Sequence, residues 1–533
     1  MFPSTYVFTG LAAVAAVSAI PSSLTNRDAV PRVTVRNGTL QGAVLPNFNQ
    51  EFFGGIPYAA PPARFEPPTP ALSYNGTLEY TDACWGSGND IWPQSENCLS
   101  LNIVRPAGTD EHSNLPVMFW AHGGGFWGGS GRDQTQNGSY LVQTSMDLGH
   151  PIIFVSINYR LLILGYPSGH EAHAAGIENL GLLDQRVALA WVQENIEAFG
   201  GNPKKVTFQG ERYHLVAYGG RNDNLFSSAI VESGSFYEMP CNYNISDIRE
   251  ATYQKFLADT TCGSLSCLKT LDIDTLYNVS LKYFDQFLPS IDGKLIEKHP
   301  AQMWAEGSFI KVPLLMGTNQ DEGTILSVTG VDNDTALQAG ITSLNATSYV
   351  VDASVFPDLL AAYPNDPTQG VPMGTGRGLL ASGSMDKRSN VMFGDAIEDS
   401  PRRWITGLMA GAGQPTFSYH FRQVPYMASL SIGATHATEL AYVFGDPTKT
   451  KFDPYGHDES LSLMMRGAWV SFVHHQDPNH KNMDHWPDFR HKKENMAFVI
   501  NGTKAENDDY RQDGIQIWID QRIKGCSGLA PKH

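Results

Sequence analysis

The apolar positions of this chain fall into short, nearly continuous runs that are bounded by glycine or proline. Such runs are typical of central strands covered on both faces, because a strand with one exposed face alternates apolar and polar residues. The predicted strands of this type are Pro116–Trp120, Ile152–Ile157, Lys205–Phe208, Ala229–Val231, Val312–Met316 and Thr416–Phe421. A different pattern, Val33–Val35 and Leu40–Val44 around Asn37-Gly38, predicts an N-terminal hairpin.

The clearest helical periodicity lies between the second and third of these strands, over Asp184–Phe199. Its apolar face consists of Ala188, Val192, Ile196 and Phe199, and Gly200-Gly201 followed by Pro203 is expected to end the helix. Helices that alternate with buried strands predict an α/β protein with a doubly wound, mostly parallel central sheet flanked by helices. In such sheets, ligands bind in the loops after the carboxyl ends of the strands. Candidate chemistry is therefore expected there.

The first apolar stretch, Leu11–Ile20, ends in the small residues Val17-Ser18-Ala19. It is too short to span a bilayer, which takes about 20 apolar residues. No Lys or Arg precedes it, which departs from the usual pattern. We interpret residues 1–19 as a secretory signal peptide and expect a secreted, extracellular protein without a transmembrane segment. Residues 20–533 are predicted to form a single domain.

Charge and composition narrow the class of protein. The net charge is −17, from 37 Lys and Arg against 54 Asp and Glu, and this argues against nucleic-acid partners, because phosphates are recognised by basic surfaces. Eight N-glycosylation sequons agree with secretion: Asn37, Asn75, Asn137, Asn244, Asn278, Asn333, Asn345 and Asn501. The six cysteines lack the paired spacing of a zinc site, and in an oxidising compartment they are expected to form disulfides.

A glycine-rich segment, His122-Gly123-Gly124-Gly125, follows the strand Pro116–Trp120. Consecutive glycines let the backbone approach a ligand and turn several N–H groups toward one point. Donors of this kind stabilise the oxyanion of a tetrahedral intermediate, each by about 3 kcal/mol. Gly124 and Gly125 are therefore predicted to be oxyanion-hole donors. The alternative is a flexible glycine-rich turn without a chemical role.

Further segments along the chain carry a resemblance to a known family. They are Gly55-Ile56-Pro57-Tyr58-Ala59, Ser95-Glu96-Asn97-Cys98-Leu99, Asn158-Tyr159-Arg160, Asn179-Leu180-Gly181-Leu182-Leu183-Asp184-Gln185 and Phe199-Gly200-Gly201-Asn202-Pro203. Together with the glycine-rich segment, they make nearly the whole chain similar to the type-B carboxylesterase/lipase family, which includes cholinesterases and fungal secreted lipases. The resemblance implies an α/β-hydrolase fold. It also implies hydrolysis of small carboxylic esters through an acyl-enzyme, by a Ser nucleophile, a Glu acid and a His base, without metal or organic cofactor.

The acid and the base implied by the resemblance are both present. Glu322 lies in Gly317–Thr324, which matches the family segment whose glutamate orients the histidine. His436 lies in Gly433–Leu440, which matches the family's histidine loop. The plain alternatives are an exposed loop carboxylate and a histidine without a catalytic role.

The nucleophile segment departs from the family pattern. Family members continue from the strand into Gly-Glu-Ser-Ala-Gly, whereas this chain reads Gln209-Gly210-Glu211-Arg212-Tyr213. Aligned on the flanks, about seven residues are missing after Glu211, including the serine and a third oxyanion donor, and G-x-S-x-G occurs nowhere in the sequence. Seven residues are close to two helical turns, so the fold could survive the loss. Ser233 and Ser235 lack an elbow, and neither is expected to replace the nucleophile.

Two explanations of this gap are open. One is a mis-joined exon or a spliced product of a gene that encodes an ordinary esterase. The other is a natural family member that has lost hydrolysis and binds a ligand or partner. The sequence thus predicts a carboxylic ester hydrolase by family, with little or no activity in this chain. The alternative is a non-catalytic, secreted, cholinesterase-like binding protein.

The resemblance also implies disulfide pairings. Cys84 and Cys98 match the family's first disulfide, and Cys262 and Cys267 resemble a shortened form of its second. It assigns no partner to Cys241 or Cys526. Asn158, Asp184 and Arg186 are expected to form buried polar pairs.

Overall fold

The structure, a computed structural model, describes residues 30–74, 82–234, 245–343, 351–378, 383–445 and 456–526. The predicted signal peptide at residues 1–19 lies outside the described residues, as do Cys241 and the sequons at Asn75, Asn244 and Asn345. Among the helices that are described, none combines the length and the apolar character needed to cross a membrane.

The described strands form one large sheet and two small two-stranded sheets. In chain order they are β1 (Arg32–Val35), β2 (Gly38–Gln41), β3 (Ala43–Leu45), β4 (Gln50–Pro57), β5 (Ala83–Cys84), β6 (Gln94–Ser95), β7 (Ser100–Pro106), β8 (Leu115–Ala121), β9 (Ile153–Ile157), β10 (Gly201–Gln209), β11 (Ser228–Glu232), β12 (Leu314–Asn319), β13 (Thr416–Phe421), β14 (Glu494–Phe498) and β15 (Lys504–Asn507). The large sheet has the strand order β15-β14-β13-β12-β11-β10-β8-β9-β7-β4-β3.

The centre of the large sheet is parallel. Strands β9, β8, β10, β11, β12, β13 and β14 are neighbours in that order, and each pairs with the next in parallel. Antiparallel pairs close both edges of the sheet. Each predicted central strand is present to within a few residues of its expected bounds. The prediction succeeded because these strands are buried on both faces, as in β13, where every residue is buried.

The helices flank this sheet. They are α1 (Ser139–Asp147), α2 (Leu162–Gly165), α3 (His170–Ala175), α4 (Leu180–Asn195), α5 (Tyr213–Gly220), α6 (Ile245–Asp259), α7 (Leu265–Thr270), α8 (Ile273–Ser280), α9 (Pro300–Ala305), α10 (Asp334–Ser343), α11 (Phe356–Ala362), α12 (Asp386–Gly394), α13 (Ser400–Gly411), α14 (Leu440–Val443), α15 (Glu459–His475) and α16 (Gln512–Cys526). A π-helical turn, Asp395–Asp399, joins α12 to α13. Large apolar clusters fill both sides of the sheet.

Helix α4 differs from its predicted bounds at both ends. It begins at Leu180 rather than Asp184, because Asn179 at its N-cap is fixed by hydrogen bonds with the backbone of Ser290. Its last turn, Ile196–Phe199, is a 3₁₀ helix, and Gly200 ends it with a positive φ of 85°. The predicted apolar face is confirmed, since all four of its residues are fully buried.

The N-terminal hairpin is confirmed, with a shorter second arm than predicted. Val35 of β1 pairs with Gly38 of β2, while Val44 belongs to β3, which joins the edge of the large sheet beside β4. The disulfides Cys84–Cys98 and Cys262–Cys267 are both formed, as the resemblance implied.

Candidate active site

Five neighbouring parallel strands bring the predicted site residues together at their carboxyl ends. We call this side of the sheet, where these strands end, the site edge. The glycine-rich turn follows β8, Arg212 follows β10, Ser233 follows β11, Glu322 follows β12, and the loop that carries His436 follows β13. Because parallel strands end on the same side, segments separated by hundreds of residues converge there. The sheet therefore provides one location for the predicted chemistry.

Glu322 and His436 are in direct contact. Oε2 of Glu322 lies 2.6 Å from Nδ1 of His436. The other carboxylate oxygen, Oε1, accepts the Ser233 hydroxyl at 2.6 Å and the backbone N–H of Asn319 at 2.7 Å. Glu322 is almost fully buried, and the imidazole is 23% exposed. With both oxygens engaged, the carboxylate holds a fixed orientation and directs a proton to Nδ1, the tautomer that a His base requires.

The surroundings of His436 favour its charged form. Burial alone would lower the pKa of this imidazole, but the charge and hydrogen bond of Glu322, together with the charges of Glu398 and Glu439, raise its pKa to about 9. Oε1 of Glu398 is 3.9 Å from Nδ1. Nearby carboxylates stabilise an imidazolium in this way. The carboxylates around the ring therefore favour the imidazolium form of His436.

Ser233, which is not expected to act as a nucleophile, binds the acid. Its hydroxyl donates to Glu322, and its backbone N–H donates to the carbonyl of Gly317 at 2.9 Å. Its φ of 56° places the residue in the left-handed region, next to Gly234 at 68°. This backbone turn aims the side chain at Glu322. The sequence signal was its position directly after a buried strand.

The glycine-rich turn has the geometry that only glycine permits at two positions. Gly124 has a φ of 108°, and a Cβ there would lie 2.4 Å from the carbonyl oxygen of Gly128. Gly125 has a φ of 61°, and a Cβ there would lie 2.6 Å from the ring of Trp127. Within the described residues, the amides of Gly124 and Gly125 donate to no other protein group. The turn thus leaves these two N–H groups available to a ligand.

His122 fixes the start of the glycine-rich turn to the core. It is buried, and burial lowers its pKa to about 4, so the ring is neutral. The ring stacks on Tyr159 at 4.4 Å between centroids, and the Tyr159 hydroxyl donates to the carbonyl of His122 at 2.7 Å. This packing ties the start of the turn to the core.

Arg212 follows Glu211 directly in the chain, just after β10. It is the N-cap of α5, with φ and ψ of −80° and −7°, which is ordinary right-handed backbone and not a strained elbow. The side chain is buried, and burial lowers the pKa of its guanidinium, against the opposing charges of Tyr213, Glu398 and Glu211. A guanidinium has no lone pair with which to attack a carbonyl.

Helix α5 is short and broken. Ala217, Tyr218 and Gly219 have non-helical dihedrals, and the last two have positive φ. Gly210 lies close to the end of β8, since a Cβ on Gly210 would lie 3.2 Å from the Cβ of Ala121. Tyr213 packs edge-on against Phe126 at 5.9 Å between ring centroids. The segment from Gly210 to Tyr213 therefore packs against the glycine-rich turn and its strand.

Beside His436 lies a cavity of about 150 Å³. Its lining includes Thr435 and Ala437, the two neighbours of His436 in the chain, together with Ile432 and Tyr442. Glu322, Glu398 and His436 also place potential metal-ligating atoms within 4.8 Å of one another. In this group, however, Nδ1 of His436 is already hydrogen-bonded to Glu322, so the arrangement fits an ion-pair network better than a metal site.

The fold and the edge just described are those of an α/β-hydrolase. A family model described as the carboxylesterase family matches residues 29–518. The chain belongs to the carboxylesterase family.

Relatives and solved structures agree with this assignment. The chain is 31% identical to Lipase 1 of Geotrichum candidum, over 90% of this chain and 93% of that protein. It is 29% identical to the liver carboxylesterase of Sus scrofa, over 99% and 98% of the two chains. The crystal structure of Aspergillus niger EstA superposes with a TM-score of 0.81 and 26% identity, covering 93% of this chain and 99% of the other.

Proposed function

We propose that this chain binds small carboxylic esters at the edge formed by Gly124, Gly125, Glu322 and His436 but does not hydrolyse them through an acyl-serine. The family to which it belongs acts as carboxylic ester hydrolases by the Ser-Glu-His mechanism. The observation that carries the proposal is that the chain passes from Glu211 directly to Arg212, without Ser-Ala-Gly, while the acid and the base are still hydrogen-bonded.

The charge state of His436 supports the same proposal. A general base must be neutral to take a proton, and efficient bases have a pKa near the working pH. A pKa of about 9 keeps His436 protonated at neutral pH. Without a serine proton to receive, the imidazolium serves to hold Glu322 and to present a positive group to a ligand.

The apolar surroundings of the site support an ester ligand. The cavity beside His436 is lined mostly by apolar and hydroxyl side chains, together with the carboxylate of Asp458. Next to it, Tyr426, Met427, Leu430 and Ile432 are between 41% and 67% exposed. Large apolar side chains grouped on a surface commonly mark a binding region. We assign this region to the acyl or alcohol part of the ligand.

We further infer that the protein is exported. The apolar segment within residues 1–19, the sequons and the two disulfides all support an oxidising extracellular setting. Relatives named as secreted lipases, such as Secreted lipase 1 of Botryotinia fuckeliana at 32% identity, support the same inference.

The decisive experiment is fluorophosphonate labelling together with hydrolysis of a p-nitrophenyl ester. We expect neither labelling nor hydrolysis by the purified chain above the level of a His436→Ala variant. A second form, with a seven-residue segment beginning Ser-Ala-Gly inserted after Glu211, should gain both. Labelling of the printed chain that disappears in His436→Ala would overturn the proposal, and Ser233→Ala would then show which hydroxyl reacts.

The origin of the gap has its own test. Peptide mass spectrometry of the secreted protein across Gln209–Arg221 distinguishes a natural product from a mis-joined reading of the gene. If peptides with Ser-Ala-Gly after Glu211 are found, the gene product is an esterase and the printed chain is a variant of it.

A second candidate function is a non-catalytic binding protein for a macromolecular partner. The observation that favours it is the same buried Arg212, because a natural loss of the nucleophile frees the site from its chemistry. Two results together would favour this candidate over ester binding. The first is a natural peptide in which Arg212 directly follows Glu211, and the second is an unfolding temperature that short-chain esters and their acids do not raise.

A further inference from the structure

Three histidines meet on the side of the sheet opposite the candidate active site. His150 lies three residues before Ile153, at the amino end of β9, and His474 and His475 end α15. The ring centroids are 4.8 Å apart for His150 and His474, 4.6 Å for His150 and His475, and 4.4 Å for His474 and His475. Each ring therefore contacts both of the others. We call this group the histidine cluster.

Both segments of the histidine cluster are fixed to the core. The backbone N–H of His150 donates to the carbonyl of Ser145, in the last turn of α1, at 2.8 Å. At the other segment, Gln476 ends α15 with a φ of 61°, and its N–H donates to the carbonyl of Phe472 at 2.7 Å. Residues of α1 and α15 belong to one buried apolar cluster. The three imidazoles are thus presented by rigid elements, as a binding site requires.

The donor atoms have the chemistry of a transition-metal site. One nitrogen from each ring lies within 4.8 Å of the other two. Ligand nitrogens on a tetrahedral zinc ion, with Zn–N bonds of about 2.0–2.1 Å, are about 3.4 Å apart. Small rotations of the side chains would close that difference. Imidazole is a preferred ligand of Zn²⁺, Cu²⁺ and Ni²⁺.

One of these nitrogens is short of a partner. Nδ1 of His474 is buried and makes no hydrogen bond to any described residue. A buried nitrogen without a partner is costly. In a neutral imidazole, the nitrogen that carries no proton has a lone pair to offer to a metal ion.

We propose that His150, His474 and His475 form a binding site for a divalent first-row transition-metal ion, with Zn²⁺ as the expected occupant. The three imidazoles supply three ligands, and water completes the coordination. The ion would link the segment after α1 to the end of α15, which are more than 300 residues apart in the chain. Its role would be structural, because the candidate chemistry lies at the other edge of the sheet.

The charged groups around the histidine cluster act in opposite directions. The positive charge of Lys205 on β10 acts on both His474 and His475 and would repel a cation. The negative charge of Asp477, which follows the helix, acts on His475 and would attract one. The C-terminal end of α15 also favours positive charge. Because Lys205 and Asp477 act in opposite directions, a change of charge at Lys205 tests the proposal independently of the removal of a ligand.

The experiment is isothermal titration of ZnCl₂ into the full chain after dialysis against a chelator, at pH 7.5. We expect one Zn²⁺ per chain bound at the histidine cluster and a raised unfolding temperature in its presence. His150→Ala and His474→Ala should each weaken binding about tenfold or more, by removing one of three ligands. Lys205→Gln should tighten it. His112→Ala, which removes a histidine that is 84% exposed elsewhere, is the matched control and should change nothing.

Two outcomes of the titration would overturn the proposal. One is Zn²⁺ binding that survives unchanged in both His150→Ala and His474→Ala. The other is binding that is lost in His436→Ala, which would place the ion at Glu322 and Glu398 instead. If a histidine variant fails to fold, Zn²⁺ should still protect the three residues of the unmodified chain from diethylpyrocarbonate, as read by peptide mass spectrometry. Equal modification with and without Zn²⁺ would also contradict the site.

Discussion

Oε1 of Glu398 lies 3.9 Å from Nδ1 of His436, the same nitrogen that Glu322 binds at 2.6 Å. Glu398 is fully buried and comes from the π-helical turn between α12 and α13. Single π-helical turns inside α-helices occur frequently at functional sites. Here the turn delivers a second carboxylate to the imidazole, which adds to the effect of Glu322 in raising the pKa of the ring.

Replacing Glu398 by Gln should lower the pKa of His436. The substitution keeps the shape of the side chain but removes one of the negative charges that favour the imidazolium. The measurement is an NMR titration of the His436 ring protons. Glu459→Gln, at the exposed start of α15, is the control and should leave the titration unchanged. An unaltered pKa in Glu398→Gln would mean that Glu322 alone sets the charge of the ring.

Glu232 makes the stability of the protein fall as pH rises. Burial, and then the charge of Glu439, raise the pKa of Glu232 to about 8. Between its unfolded pKa near 4.5 and about 8, the folded protein holds a proton that the unfolded chain releases, so stability declines through this window. Glu232→Gln should remove that part of the decline, on the order of a few kcal/mol.

The substitution suits the site, because Trp469 donates to Oε1 of Glu232 at 3.1 Å and Gln209 can turn its amide toward a new donor. Urea unfolding at pH 5, 6.5 and 8 measures the slope. Glu111→Gln, at a side chain that is 71% exposed, should keep the wild-type slope. If the free energy of unfolding depends on pH in the same way in Glu232→Gln and in the wild type, this account is contradicted.

The ion pair of Arg402 and Asp508 should contribute more to the free energy of unfolding than a more exposed ion pair of similar geometry. The two side chains are 0% and 1% exposed. Arg402→Met leaves a buried aspartate without its principal partner and should cost about 3–5 kcal/mol of unfolding free energy. Arg490→Met, which breaks a pair with Asp488 that is 33% and 13% exposed, should cost about 0–1 kcal/mol. Denaturant unfolding compares the two, and equal losses would refute the burial argument.

Glycan occupancy should differ among the sequons. Nδ2 of Asn37 donates to the carbonyls of Ala71 and Leu72, and that of Asn137 donates to the carbonyl of Gln134. Asn137, Asn278, Asn333 and Asn501 are exposed, whereas Asn37 is partly buried. We expect high occupancy at Asn278, Asn333 and Asn501 and low occupancy at Asn37, because a glycan on its Nδ2 replaces a hydrogen that is already donated. Glycopeptide mass spectrometry tests this order, and full occupancy at Asn37 would contradict it.

The central sheet could be predicted from the sequence because its strands are buried on both faces and therefore lack polar positions. The start of α4 could not, because it depends on Asn179 binding Ser290, a residue more than 100 positions away. The same holds for Asp184, whose partner proves to be Arg160 at 2.7 Å, while Arg186 pairs with Asp223. Sequence patterns identify buried polar residues, but long-range folding chooses their partners.

At the site, motif matching located Glu322 and His436, and the strand order explains why they meet. Ser233 and Glu398 were not predicted as members of the network. Their involvement depends on a left-handed turn in one case and on a π-helical turn in the other, and neither has a clear signal in a single sequence. The adjacent pair His474-His475 was visible in the sequence, but its third member, His150, lies beside it only in the folded protein.

The connection from β10 to β11 runs from Gly210 to Ser227 and contains the broken helix α5. Parallel neighbours need a crossover of about a dozen residues or more, so this connection still returns the chain to the sheet with residues to spare. Under the proposed function, the same short connection leaves a folded domain that can hold an ester without consuming it.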